Sequence, residues 1–379
     1  MDDDITHICE EKNPAKLSKY LKKLTPHLIS TIHDIALHSP TEQGELIRKC
    51  IRELYFTPFV GTMTLTFGDV AESHVGMQKL GKMADNGFTL EDLQRASAYF
   101  TARGCEAIII RLNDYLPDKA KNKEEQKFLD QAKEEDEFQA YVLIVRGGLK
   151  NITNPVELAT EMLIYDWDTK LYNDRKKQVQ QKNARHNLNF DENNQDPDFT
   201  KGKGTTVSWK DVPILKQVKD SLVDIFGKNA EDLKCEGNKY YEPKGTGIGY
   251  HGDTERRKVI GIRLGRAMNL HFMWYYNDRP RGYNVSFTLQ PGDLYCMSEK
   301  TVGTDWRPNA SKGWTKKRYT LRHAAGAAKY TTDTQKIRVE PNKLSTNPNI
   351  ILGNIYYKRK AGVEDKKAGT KTEWELSYN

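Results

Sequence analysis

The spacing of apolar residues changes character along the chain. Residues 14–37, PAKLSKYLKKLTPHLISTIHDIAL, place apolar side chains three and four apart with a basic opposite face, the mark of an amphipathic helix. A β-branched run, 60-VGTMTLTFGDVAESHVGMQKLG-81, reads as extended. In 89-TLEDLQRASAYF-100, Thr89 is positioned to N-cap a helix that carries Leu90, Leu93, Ala96 and Phe100 on one face. The runs 106-EAIIIRL-112 and 140-AYVLIVRGG-148 read as short strands flanking a charged stretch, 117–138, that is a solvated helix or loop. Together these elements predict an α+β N-terminal domain over residues 1–150.

From residue 151 to 330 the pattern shifts. A helical segment, 155-PVELATEMLIYDW-167, and a polar connector at 173–203 lead into short strands separated by Gly and Pro turns: VIGIRLG, MNLHFMWYY, YNVSFTLQPGD, LYCM and RYTLRH. Strands at this interval predict a β-sandwich or barrel. Residues 331–379 form a basic C-terminal extension containing 350-IILGNIYYKRK-360. The expected fold class is α+β, in two domains and a tail.

Composition narrows the setting. At 379 residues the chain is long enough for two cores, and 10% aromatic content argues for folded domains despite 29% charged residues. No apolar run reaches the length of a membrane span, and the acidic start MDDDITHICEE is no signal peptide, so no membrane partner is expected. Five scattered cysteines without a CxxC pair read as reduced thiols of an intracellular protein, cytoplasmic or nuclear. The net charge of +7 suits a polyanion. The segments 256-RRK-258, 279-RPRGY-283 and 315-TKKR-318 alternate with Trp274, Tyr275, Tyr276 and Trp314. Cations beside rings suit a nucleic-acid reader, DNA or RNA; the alternative is solvated loops beside a core aromatic cluster.

Chemistry concentrates at 248-IGYHGDTERRKVIGIRLG-265. On an extended strand, residues two apart share a face, so His251 and Asp253 can converge on one point. With a third ligand they would make the facial triad of a non-haem Fe(II) oxygenase. Isolated HxD pairs are common by chance, and the bland reading is a strand-end turn. The surrounding order of segments is more specific. It comprises 208-SWKDVPILKQVKDSLVDIFG-227, 238-NKYYEPKGTGIGYHGDTE-255, 259-VIGIRLGRAMNLHF-272, 292-GDLYCMS-298 and 318-RYTLRHAAG-326. This series, over about residues 205–326, resembles the AlkB-like branch of the Fe(II)/2-oxoglutarate dioxygenases.

The resemblance implies a double-stranded β-helix, or jelly roll, over the second domain, with Fe(II) and 2-oxoglutarate as cofactors. It implies metal ligation by His251 and Asp253, and hydrogen bonds from Asn238 and Tyr240 to 2-oxoglutarate. Arg322 would clamp the distal carboxylate, a role that suits a planar guanidinium, and Lys316 or Arg318 is a candidate second cation. The third ligand departs from the family pattern, because no histidine lies between Gly292 and Arg322. Asp305 is the leading replacement and Glu299 an alternative. His323 is a third candidate, but neighbours on a strand face opposite ways, so an inward Arg322 turns His323 outward. Asp69, Glu72 and His74 invite comparison with a nuclease metal site, although a capped turn accounts for them.

The activity implied is hydroxylation of a modified base, leading to demethylation where an N-methyl carbon is the target. The alternatives are a non-catalytic nucleic-acid-binding protein without a complete metal triad, and an oxygenase acting on a protein side chain.

Overall fold

A computed structural model describes residues 8, 10–242, 245–306 and 318–326, together with the backbone of two short paired strands, Tyr357–Arg359 and Trp374–Leu376. The helical periodicity of 14–37 resolves into two helices, α1 (Pro14–Leu21) and α2 (Pro26–His38). Pro26 lacks the N–H needed mid-helix, so it opens α2 instead, with Thr25 as N-cap. A third helix, α3 (Glu42–Tyr55), is capped by Thr41. These helices bury Leu17, Leu21, Ile29, Ile32, Ile47 and Ile51 against one another and against Ile164.

The main sheet has eight strands in the order β4-β5-β15-β12-β1-β10-β8-β9. From the N-terminal region come β1 (Thr62–Gly68), β4 (Ala107–Arg111) and β5 (Tyr141–Val145). From further along come β8 (His186–Asp191), β9 (Thr206–Ser208), β10 (Lys234–Tyr240), β12 (Val259–Gly265) and β15 (Leu294–Met297). The boundary expected near residue 150 therefore falls within one continuous sheet. Strand β1 is buried along its whole length and pairs antiparallel with both β10 and β12. Two short hairpins stand apart: β2 (Val70–Glu72) with β3 (Lys79–Gly81), and β6 (Lys170–Asn173) with β7 (Gln178–Gln181).

One face of the main sheet is covered by helices α4 (Leu90–Thr101), α6 (Pro155–Ile164) and α7 (Pro213–Phe226). Alternate strand residues (Leu65, Phe67, Ile260, Ile262, Phe190 and Cys296) form a core there with Leu93, Phe100, Leu158, Leu222 and Phe226. Thr89 makes the expected capping box, its partner being Asp92. The charged stretch 117–138 contains a helix, α5 (Lys123–Glu134), that buries Leu129 and Ala132.

The opposite face looks onto a second sheet, β11-β16-β13-β14, built from β11 (Gly247–His251), β13 (Met268–Tyr276), β14 (Arg279–Leu289) and β16 (Tyr319–Gly326). Between the sheets, Leu270, Phe272, Trp274, Phe287, Tyr319 and Leu321 meet Val142, Ile144, Val259 and Met297. From β10 to β16 the chain visits the large and small sheets in the sequence large, small, large, small, small, large, small. Cys50, Cys235 and Cys296 are buried free thiols. Among the described residues no helix is long and apolar enough to cross a membrane.

Candidate metal centre

Strands β11 and β16 bring the reactive side chains together. Their register sets His251 opposite His323, so both imidazoles rise from one face, with ring centroids 4.4 Å apart. Asp253 follows where β11 ends, and its N–H donates to Val302 O at 3.0 Å. The chain passes close to Gly303 here, and a Cβ at Gly252 would lie 2.1 Å from the Gly303 carbonyl, so only glycine fits. Asp253 Oδ1 lies 3.4 Å from His251 Nε2 and 3.6 Å from His323 Nε2. One donor atom from each of the three lies within 4.8 Å of the others.

This overturns the expected facing of β16. Tyr319 and Leu321 belong to the core between the sheets, and the two-residue period carries His323 onto that same inner face. Arg322 faces the other way: its guanidinium stacks 3.9 Å over Tyr275 and 4.9 Å over Trp306 and pairs with Asp278 at 2.6 Å. It is not a clamp beside the triad. The alternation of Tyr319, Leu321 and His323 was itself the available sequence signal, outweighed by matching Arg322 to a family role.

The other third-ligand candidates are engaged elsewhere. Asp305 pairs with Lys300 at 2.5 Å. Glu299 pairs with Arg257 and accepts the Gly87 N–H at 2.7 Å. Arg318 points toward Glu137, 3.9 Å away, and the Phe138 ring. Lys316 and Trp314 lie outside the described residues.

The electrostatics of the three groups suit metal ligation. Burial by itself would raise the Asp253 carboxyl, but Arg256 and then His323 override it and hold the group well below the usual carboxylate range. Burial, with His251 alongside, lowers the His323 imidazole from its ordinary value. His251 Nδ1 bonds the Gly249 carbonyl at 2.8 Å, which as an N–H donor leaves Nε2 with a lone pair.

Asn238 and Tyr240 line the inner face of β10, as expected of residues facing the site, but Asn238 is already committed. Its Oδ1 accepts from Arg185 Nε and from Asn187 Nδ2, and its Nδ2 donates to Glu236 at 3.0 Å. Glu236 in turn accepts from buried Arg256 at 2.7 Å, and Arg256 Nε lies 3.6 Å from Asp253. A polar chain therefore runs from the wall of the large sheet to the triad and fixes the carboxylate's position.

A residue that sequence reading passed over lies on the same inner face. Arg263 is 1% exposed and donates to Thr64 Oγ1, its register partner on β1. Burial lowers its guanidinium from its ordinary value, while Tyr295 and Tyr240 oppose the shift. A cation inside the apolar run VIGIRLG, opposite in facing to Ile260 and Ile262, was the signal that marked it.

The earlier carboxylate group does not gather. Asp69 accepts the N–H groups of Ala84, Arg257 and Lys258, Glu72 accepts from Gly76, and His74 bonds Val75 O. The basic-aromatic segments also differ from a nucleic-acid surface in part: Arg256 is buried, Arg281 pairs with Glu125, and Trp274, Tyr275 and Tyr276 are buried. For those residues the core reading holds.

Over 269 residues, 71% of its length, the chain is 40% identical to a protein of Acanthamoeba polyphaga mimivirus described only as uncharacterized, and 97% of that protein is covered. The chain belongs to that protein's family. No protein-family profile matches it. Membership brings no named activity, and the triad is what bears on function.

Proposed function

We propose that this protein is an Fe(II)- and 2-oxoglutarate-dependent dioxygenase of the AlkB-like branch, built on a double-stranded β-helix, that hydroxylates a modified base in DNA or RNA. The observation that carries the reading is the convergence of His251, Asp253 and His323. Two imidazoles and one carboxylate are the donor set of the facial triad. The route of the chain supports the winding, since strands β10 to β16 alternate between two facing sheets and β1 fills the gap between β10 and β12. Bound by these residues, Fe(II) would supply activation of O2 coupled to oxidative decarboxylation of 2-oxoglutarate, with hydroxylation of a substrate C–H bond.

The protein's own contribution is positional. Arg256, itself neutralised by Glu236 and Glu255, keeps Asp253 ionised and aimed. The Gly249 carbonyl fixes the His251 tautomer. The apolar packing of Leu270, Phe272 and Leu321 flanks His323 and keeps water from that side of the triad.

Access for a nucleic-acid strand is argued from the other side. The segment 182–186 is tied to β11 by Gly247 N–H to Ala184 O and to β10 by Arg185 to Asn238. It continues from the β6–β7 hairpin, which exposes Lys170, Arg175, Lys176 and Lys177. Beside it, His186 and the partly exposed Tyr241 stack with centroids 4.2 Å apart. Cations for phosphates next to an accessible ring suit a single strand that presents one base to a pocket.

The decisive measurement is anaerobic titration of the full chain with Fe(II) and 2-oxoglutarate, watching for a visible charge-transfer band. The band is expected in the wild type and absent in His251→Ala and His323→Ala. A wild type without it removes the oxygenase reading. Binding to single-stranded oligonucleotides should weaken steeply with salt; no such binding would redirect the substrate toward a protein side chain.

A further inference from the structure

A cleft of about 430 Å³ lies where the starts of β10 and β12 meet the β2–β3 hairpin. Its lining includes Lys82, which follows β3, and Lys228 and Asn229, in the turn after α7. Lys234, at the head of β10, and Lys258, just before β12, complete the basic wall. The volume is that of a small-ligand pocket. None of these residues belongs to the metal triad or to the polar chain that positions it.

Most of these lysines lack a counter-ion. Lys234 pairs with Asp191 at 2.6 Å, while Lys82, Lys228 and Lys258 make no ion pair among the described residues. Three carboxylates share the lining without taking that role. Asp69 is buried and spends its oxygens on the N–H groups of Ala84, Arg257 and Lys258, at 2.7, 3.0 and 2.9 Å. Glu231 and Asp232 are exposed, where water screens their charge. Like charges gathered in a concave site repel one another and focus their field on an entering anion.

The surrounding backbone holds this arrangement together. Asp69 clasps the segment after Lys82 to the one that carries Lys258. A Cβ at Gly81 would lie 2.3 Å from the Asp69 carbonyl and 2.9 Å from Lys234 Cγ, so this bare position lets the Lys234 stem run against the hairpin. Asn229 donates to Asp92 Oδ2 at 2.7 Å and ties the 228–230 turn to α4. The lysines therefore project from fixed elements, and Asp69, a metal-ligand candidate in the sequence, serves as their clasp.

We propose that this cleft binds a phosphate-bearing anion, carried either by the backbone of a nucleic-acid strand or by a free oligophosphate. Lysine ammonium groups are compact charges with three donors each, and they suit phosphate oxygens that offer acceptors in many directions. The connection 252–258 runs from Asp253 to Lys258, and a stretch of that length spans at most about 18 Å. A strand gripped in the cleft is thus close enough to extend to the triad. The cleft itself does not rest on the oxygenase reading.

The test uses the full chain without added metal. Inorganic tripolyphosphate is titrated by calorimetry and a labelled single-stranded oligothymidylate by fluorescence anisotropy. At least one should bind the wild type, with affinity falling as salt rises. Lys82→Gln combined with Lys258→Gln should lower that affinity about 10-fold or more, the value of charge-assisted hydrogen bonds. Lys16→Gln combined with Lys19→Gln removes the same charge from the exposed face of α1 and should leave it unchanged. A loss for the oligonucleotide assigns the phosphates to a strand, and a loss for tripolyphosphate alone assigns them to a free ligand. A wild type that binds neither probe, or two double variants with equal affinities for every probe, overturns the proposal. The replaced lysines make no described ion pair, so both double variants should melt with the wild type. If the cleft variant fails to fold, Lys228→Glu in the exposed turn should show the loss, and wild-type affinity there overturns the proposal. Failure of the metal reading shows only in the Fe(II) titration and leaves this result standing.

Discussion

Two buried polar clusters in this protein look alike in composition and differ in how their groups are aimed. In the helical layer, Glu157 of α6 lies between His33 and Arg52, 2.7 Å from each. One turn on, Glu161 accepts the N–H groups of Ile214 and Leu215 at 3.0 and 2.9 Å, at the start of α7, and the Ser30 hydroxyl. Each carboxylate there has its donors, while His33 Nδ1 and Arg52 Nε find no partner among the described residues. Between the sheets, three metal-competent side chains point at one another, and a buried guanidinium has a single threonine for company. Carboxylates met by donors from neighbouring helices weld those helices together, whereas three ligand atoms converging on one point are held ready for something that binds.

The contrast breaks most visibly at Glu157. Glu157→Ala leaves His33, fully buried, facing an empty site, and we expect a loss of about 3 kcal/mol in denaturant-melt stability with Mn(II) affinity intact. His323→Ala should do the reverse, lowering Mn(II) affinity about 100-fold or more while the melt stays near wild type. A His323→Ala protein that binds Mn(II) normally would place the metal elsewhere, and one that unfolds would make His323 a structural residue.

The next effect is a pH dependence in the helical cluster. Complete burial pushes the Glu161 carboxyl up from 4.5 to about 8, against the pull of its two backbone donors. In that interval the unfolded chain has released a proton that the folded chain keeps. Stability is therefore greatest below about pH 4.5 and declines toward about pH 8. Melting curves at pH 5 and pH 8 should show the fall, and Glu161→Gln should flatten it. An equal slope in the variant would assign the dependence to other groups.

Much of the scaffold was legible because periodicity reports facing. Thr89 and its apolar stripe, the paired runs around 106–112 and 140–148, and the His251–Asp253 pair all follow from spacings of two or of three and four. What failed was long-range. Nothing local in TMTLTFG says that it inserts between β10 and β12, more than 160 residues onward by its Thr64–Asn238 register, so one sheet was read as two domains. Facing on β16 was legible in principle, but a family role assigned to Arg322 overrode the parity of its neighbours. Arg263 was hidden because a lone cation in an apolar strand has no meaning until its surroundings are known.

The smallest expected effect is the sharpest check on the third ligand. Asp305 lies 2.5 Å from Lys300, whose ammonium also sits 4.5 Å from the Phe138 ring centroid and donates to Tyr319 O. A partly buried pair of this kind stabilises modestly, and Lys300 keeps two of its contacts when the charge of Asp305 is removed. Asp305→Asn should therefore cost about 1 kcal/mol or less and leave Mn(II) affinity unchanged. A loss of Mn(II) affinity as large as that of His323→Ala would mean that the loop rearranges to bring Asp305 to the ion. In that case the contrast between the helical cluster and the metal triad would have to be redrawn, with Lys300 and Asp305 as a latch on the metal side.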